Sequence, residues 1–332
     1  MEYTKLGNSG LEVSKITLGC MGFGDPAKWT HKWVIDEEQS RVIIKHALDL
    51  GINFFDTANI YSFGESEIYL GRAIKDFAKR EDVVIATKVH QKMRTTPNGG
   101  GLSRKEIFHE CEESLKRLGM DYIDLYIIHR WDYDTPIEET MEALHDLIKL
   151  GKVRYIGASA MYAWQFQLAQ NVAEKHGWTQ FISMQNHHNL IYREEEREMN
   201  PYCIATGVAS TPYSPLALGR LTRLPGETSF RNETDQIAKM KYGKTTDIDA
   251  EIINRVGELA DKYKVLRSQI ALAWLWTKRP VVAPIVGATK ISHIDDAVAA
   301  LDVKLTKEDI TYLEETYLPH AIVGALPYPQ AK

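Results

Sequence analysis

Cysteine is scarce in this chain: three residues in 332, Cys20, Cys111 and Cys203, with no CxxC pair among them. An odd count without close spacing provides neither a disulfide framework nor a zinc-ribbon pattern, and it fits reduced thiols in a cytoplasmic protein. Long apolar runs are missing too. Nothing approaches the roughly 18 residues of a membrane span, and the opening MEYTKLGNSGLEV lacks a charged-then-apolar leader. There is no excess of positive charge: 40 Lys and Arg stand against 45 Asp and Glu, a net charge of −5, with no long basic run. That argues against nucleic acid as a partner. No GxGxxG follows a strand. The nearest match, Gly19-x-x-Gly22-x-Gly24, has its spacings in the wrong order, so any nucleotide is not held in a Rossmann pocket. HxH and HExxH are absent, which leaves His31, His90, His187 and His188 as structural or substrate-lining residues and predicts no bound metal.

What the chain does have is a rhythm. Short β-branched runs alternate with amphipathic segments: ITLG (16–19), NFFDTA (53–58), VVIATKV (83–89), IDLYIIH (123–129), VRYIGAS (153–159), FISMQ (181–185), GVASTPYS (207–214) and VVAPIVGAT (281–289). Between them lie helical segments at 36–51, 64–77, 103–119, 136–152, 162–176, near 193–199 and at 293–300. Ser103 and Glu106 form an S-x-x-E capping box, and Gly51, Gly119 and Gly151 supply helix stops. Near-continuous apolar strands separated by helices indicate a parallel sheet. Eight such units predict a closed (β/α)8 TIM barrel of about 250 residues. With no second composition regime and no long Ser/Pro linker, residues 1–332 read as a single domain. The surplus of roughly 80 residues over the barrel falls in an N-terminal β-hairpin (1–15), loops at 90–102 and 218–250, and a proline-rich tail (318–332). The run REEERE (193–198) reads as a solvated helix face.

Barrel active sites lie at the C-terminal ends of the strands. The polar residues there are Asp56 (with Tyr61 shortly after), Lys88, His129, Ser159, Gln185 and Tyr213. The steps from Asp56 onward are 32, 41, 30, 26 and 28 residues. Each is about one βα unit, which puts all of them in one ring around one mouth. Tyr and Lys titrate near ~10 and ~10.4 when free. A neighbouring ammonium is expected to favour phenolate and lower the Tyr61 pKa, with a carboxylate holding the lysine in place. Such a group suits proton donation to a carbonyl oxygen while hydride reaches the carbon. That hydride requires a nicotinamide.

These segments resemble the aldo-keto reductases from about Thr4 to Asp309. The resemblance rests on FDTANIY (55–61), ATK (86–88), IHRWD (128–132), GAS (157–159), MQN (184–186), YSPL (213–216) and GATK (287–290), all in order. The stretch IHRWDYDTPIEETMEALHDLIK is similar to the aryl-alcohol dehydrogenase and potassium-channel β-subunit branch. The resemblance implies Tyr61 as general acid, Lys88 and Asp56 as its pKa-setting partners, and His129 as the residue orienting the carbonyl, with Trp131 beside the substrate. It implies Ser159 and Gln185 at the nicotinamide carboxamide and Tyr213 stacked on the nicotinamide ring. Met21 and Gly22 would approach the cofactor, as would Asp56. Ser214, Pro215, Leu216 and Gly219 would cover the pyrophosphate. Gly287, Thr289, Lys290, His293 and Asp296 would surround the adenosine end, with Lys290 favouring NADP(H) over NAD(H). Ala160 and Ala297 stand where the family often has Asn or Arg and Asn, respectively. The expected activity is reversible reduction of a small aldehyde or ketone. The competing reading is a redox-sensing or regulatory subunit that binds nucleotide with negligible turnover. A metal-dependent barrel hydrolase is a distant third. Arg130 and Arg94 are candidates for recognising a phosphate or carboxylate on the substrate.

Overall fold

The computed structural model describes residues 1–224, 227, 233–327 and 329. Strands β1 (Tyr3–Lys5) and β2 (Glu12–Ser14) form the expected antiparallel hairpin, with Thr4 opposite Val13. Eight parallel strands follow: β3 (Thr17–Gly19), β4 (Phe54–Asp56), β5 (Val84–Val89), β6 (Ile123–Ile128), β7 (Val153–Ser159), β8 (Ser183–Gln185), β9 (Ala209–Ser210) and β10 (Ile285–Gly287). The sheet runs β10-β3-β4-β5-β6-β7-β8-β9. It closes where Ser210 bridges Val281 and the Val282 amide donates to the Ser210 carbonyl at 3.0 Å. The fold is a (β/α)8 barrel.

Strand alternation sorts side chains into two apolar bodies. Phe54, Val84, Ala86, Leu125 and Ile127 point inward and meet Leu6 and Val13 of the hairpin, which plugs the barrel floor. Phe55, Ile85, Val89, Tyr126 and Ile128 point outward against the helices. Because the period is two, Asp56 shares the inward parity of Phe54, and Lys88 that of Ala86. The same pattern that builds the floor therefore aims the strand-end polar groups into the mouth.

The helices begin and end for local reasons. In α1 (Glu37–Asp49) the Asp36 carboxylate accepts from the Gln39 amide at 2.9 Å. In α2 (Glu65–Phe77) Gly64 precedes the first turn with φ +97°. Helix α3 (Arg104–Leu118) starts at Ser103, whose hydroxyl accepts from the Glu106 amide, and stops at Gly119 with φ +64°. Only half of the expected capping box forms, because the Glu106 carboxylate pairs instead with Arg94 at 2.6 Å. Helices α4 (Ile137–Lys149) and α5 (Ala163–His176) complete the middle of the ring.

Four readings are corrected on the second half of the chain. The helix expected near 193–199 is a short 3-10 turn, Glu194–Glu196, followed by α6 (Met199–Thr206). REEERE is not a solvated face. Arg193 bonds Glu196 at 2.7 Å and Glu314 at 3.1 Å, and burial pushes the Glu195 carboxyl up to about 8. The segment 218–250 is not a plain polar loop, since α7 (Gln236–Tyr242) lies within it, capped by Asp235, and α8 (Thr246–Tyr263) begins inside it. Parts of that segment and of the tail fall outside the described residues. The later strands are shorter than the apolar runs, because Pro212 and Pro284 have no N–H to donate to a ladder. The ring is completed by α9 (Arg267–Trp276), α10 (Ile291–Ala299) and α11 (Lys307–Glu314). No helix among the described residues is long and apolar enough to cross a membrane.

Candidate active site

At the barrel mouth the ends of β4 and β5 meet. Lys88 is fully buried and its ammonium is saturated: Nζ donates to Asp56 Oδ1 at 2.6 Å, to the Thr57 carbonyl at 2.8 Å and to the Tyr61 hydroxyl at 3.2 Å. An ammonium has three protons, and each is used. Tyr61 reaches this position from a tight 3-10 turn (Tyr61–Gly64) in which Ser62 and Phe63 hold φ +48° and +52°. Non-glycine residues enter that region at a cost, so the turn is held by its surroundings. The neighbouring Gly24 explains part of that hold: a Cβ there would lie 1.9 Å from Ser62 Oγ. His129, at the end of β6, sets its ring edge-on to Tyr61 with centroids 5.9 Å apart.

The charge states follow from burial and neighbours. Desolvation works against the Lys88 charge, but Asp56 and Tyr61 outweigh it and leave the pKa above the ordinary lysine value. The Tyr61 phenol is pushed up by burial despite Lys88 beside it. This corrects the expected downward shift: here desolvation exceeds the pull of the ammonium. Burial, then Arg130 and Lys88, hold His129 well below the usual imidazole range. At neutral pH the group is thus a charged Lys88, a protonated Tyr61 and a neutral His129.

Gln185, at the end of β8, donates its amide to Asp56 Oδ2 at 2.8 Å. Sequence reasoning assigned Gln185 to a ligand and missed this contact; its position one βα unit along the ring was the available clue. Ser159 Oγ is buried without a partner, and so is the Tyr213 hydroxyl. The Tyr213 ring stacks on His187 at 5.2 Å, nearly parallel. His187 is otherwise engaged with the Tyr242 hydroxyl at 2.7 Å, and His188 with Glu196 at 2.9 Å. The tail also reaches the mouth: the Tyr192 hydroxyl accepts from the Val323 amide, and a Cβ at Gly324 would lie 2.4 Å from the Tyr213 hydroxyl.

The remaining candidates follow the C-terminal ends of β3, β9 and β10 in the chain. Met21 and Gly22 sit in a 3-10 turn, Cys20–Gly22, directly after β3. After Tyr213 comes a run with left-handed backbone at Ser214, Ala217, Leu218 and Gly219, around Pro215 and Leu216. Such tight turns can gather backbone N–H groups into anion-binding concavities. At the end of β10, Gly287 is exposed and nothing lies within 4 Å of where its Cβ would be. Helix α10 then starts at Lys290 with no side-chain cap, leaving an open positive helix end. Lys290 and His293 are exposed there, Thr289 and Asp296 half-buried. Ala160 has φ +47°, a conformation in which the Asn common to the family is more at ease.

Two further candidates have partners of their own. Trp131 is 7% exposed and packs on Trp164 with ring centroids 6.1 Å apart. Arg94 is neutralised by Glu110 at 2.8 Å and Glu106 at 2.6 Å, so it is not free for a substrate. Lys241 of α7, which the sequence did not single out, lies 4.4 Å from the Tyr213 ring centroid. Burial, then Arg130, bring its pKa down to about 7.

Comparison with known proteins shows the family. Residues 15–318 match the aldo/keto reductase family. A versiconal hemiacetal acetate reductase of Aspergillus parasiticus is 47% identical over 97% of this chain and 98% of its own length. Putative aryl-alcohol dehydrogenases of Schizosaccharomyces pombe and Saccharomyces cerevisiae are 47% and 43% identical, covering 98% and 96% of this chain and 98% of each relative. The family match over residues 15–318 and these identities over nearly the whole length show that the chain belongs to the aldo/keto reductase family.

Proposed function

We propose that this protein is an NADP(H)-dependent reductase of aldehydes or ketones, working reversibly on the corresponding alcohols. The observation that carries the reading is the saturated Lys88, bound at once to Asp56 and to the Tyr61 hydroxyl. Relatives named for a hemiacetal reductase and for aryl-alcohol dehydrogenases support the carbonyl–alcohol couple and point to aromatic substrates as probes.

The residues present fit a nicotinamide cofactor. The orphaned Ser159 hydroxyl and the free oxygen of the Gln185 amide suit a carboxamide. Tyr213 offers a ring to the nicotinamide, with Met21 and Gly22 near it. The Ser214–Gly219 backbone suits a pyrophosphate, and Lys290 with the open end of α10 suits an adenosine 2′-phosphate. When bound, the cofactor supplies the hydride, which no side chain can.

The chain's own residues manage the proton. Tyr61, protonated at neutral pH, donates from its hydroxyl to the carbonyl oxygen. Lys88 stabilises the phenolate left behind, and Asp56 with Gln185 keeps Lys88 in line. His129, held neutral, donates an N–H to the same oxygen and sets its direction. Positioned acid catalysis of this kind is worth roughly 10²–10⁴ in rate.

The test is cofactor oxidation, followed by absorbance, over a panel of aromatic and aliphatic aldehydes with NADPH and with NADH. Turnover with NADPH is expected. Tight binding without turnover on any aldehyde would replace this reading with that of a regulatory nucleotide-binding subunit. In the same assay Lys290→Met should raise KM for NADPH about tenfold, the scale of one lost charge-assisted contact, and leave KM for NADH nearly unchanged. Equal effects on both would remove Lys290 from the 2′-phosphate.

A further inference from the structure

Two basic side chains at the mouth make no ion pair among the described residues. Arg130 follows His129 directly, and its guanidinium donates to the His129 carbonyl at 2.6 Å. That uses one of five N–H donors. Lys241 approaches from α7 and rests on the Tyr213 ring. Among the described residues no carboxylate stands within ion-pair distance of either. Of the other half-buried arginines, Arg94 pairs with Glu106 and Glu110, Arg117 with Glu67 and Arg193 with Glu196 and Glu314, while Arg220, Arg223 and Arg267 donate to hydroxyl or carbonyl oxygens.

The two charges act on the same space. Arg130 depresses the pKa of Lys241 and of His129 and opposes the rise of Tyr61 and Tyr213. Burial and Arg130 hold the Lys241 amine down at about 7, and an anion bound between the two groups would restore its charge. A planar guanidinium presents parallel donors to a carboxylate, and the lysine adds a point charge.

We infer that Arg130 and Lys241 form a receptor for a carboxylate carried by the carbonyl substrate, so that the preferred substrates are anionic oxo-acids or formyl-acids. This inference rests on the reductase reading and deepens it. A phosphate of the cofactor is the other anion that could meet these cations. The substrate is favoured because Arg130 is anchored to the carbonyl of His129, the residue that orients the reacting oxygen.

The experiment compares para-carboxybenzaldehyde with its methyl ester, which is neutral and of similar shape. The wild-type kcat/KM should favour the acid by about tenfold or more, and added salt should erode the advantage of the acid alone. In Arg130→Met and Lys241→Met the acid-to-ester ratio should fall toward one, and further in the double variant. NADPH affinity, read by fluorescence quenching, is the second readout. If both variants weaken NADPH binding and leave the ratio intact, the cations serve the cofactor phosphates and the inference is overturned. If both aldehydes turn over with an unchanged ratio and unchanged NADPH binding, it is overturned as well, while the reductase reading stands. If neither aldehyde nor any other carbonyl turns over, both fall together.

Discussion

Replacing Tyr61 by phenylalanine should reduce kcat for aldehyde reduction by about 10³, within the 10²–10⁴ range of a positioned acid, and leave NADPH affinity close to that of the wild type. The geometry separates the two effects. The substitution keeps the ring that faces His129 and removes only the hydroxyl. Lys88 loses its longest bond, at 3.2 Å, but keeps Asp56 at 2.6 Å and the Thr57 carbonyl at 2.8 Å. Its charge stays compensated, so stability should change by only about 1 kcal/mol, the net worth of an ordinary hydrogen bond. Steady-state kinetics and a cofactor titration check both halves. Turnover near the wild-type rate would remove Tyr61 from the acid role.

Lys88→Met should damage both stability and turnover. It leaves the Asp56 carboxylate 3% exposed, with the Gln185 amide as its remaining side-chain donor. Removing one partner of a buried ion pair costs about 3–5 kcal/mol, readable as a lower midpoint in denaturant. Removing both charges is far cheaper, often neutral, when the volume is kept. The double variant Lys88→Met with Asp56→Asn should therefore recover most of the stability. It should not recover turnover, because nothing then stabilises the phenolate of Tyr61. A double variant that regained turnover together with stability would show the pair to be a packing element of the barrel and not part of the chemistry. If instead Lys88→Met unfolds as late as the wild type, Asp56 has another charge partner in solution.

Much of this site was legible because the barrel is periodic. Asp56, Lys88, His129, Ser159 and Gln185 follow one another at intervals of one βα unit, and strand parity aims them the same way as the floor residues Phe54, Ala86 and Ile127. What failed to show was whatever depends on partners distant in sequence. REEERE looks like a solvated helix face because its partners, Glu314, Tyr317, His320 and Lys278, are more than 80 residues away. Ser103-x-x-Glu106 looks like a full capping box because Arg94 is not on that helix. The downward pKa shift expected for Tyr61 considered only the charge beside it and not the opposing desolvation. Lys241 sits in a seven-residue helix, too short to show a period amid its turn residues, although Asp235 as cap with Ala238 and Tyr242 one turn apart offered a faint mark of it.

The decisive measurement follows the hydride itself. Reduction of benzaldehyde with NADPH carrying deuterium at the transferable C4 position should place deuterium on the carbinol carbon of benzyl alcohol, in step with cofactor oxidation. Tyr61→Phe should bind the same cofactor and form almost no labelled alcohol. Cofactor that binds tightly yet stays reduced, with no label in any alcohol, would contradict the proposed chemistry and leave the saturated Lys88 as a structural feature of a nucleotide-binding barrel.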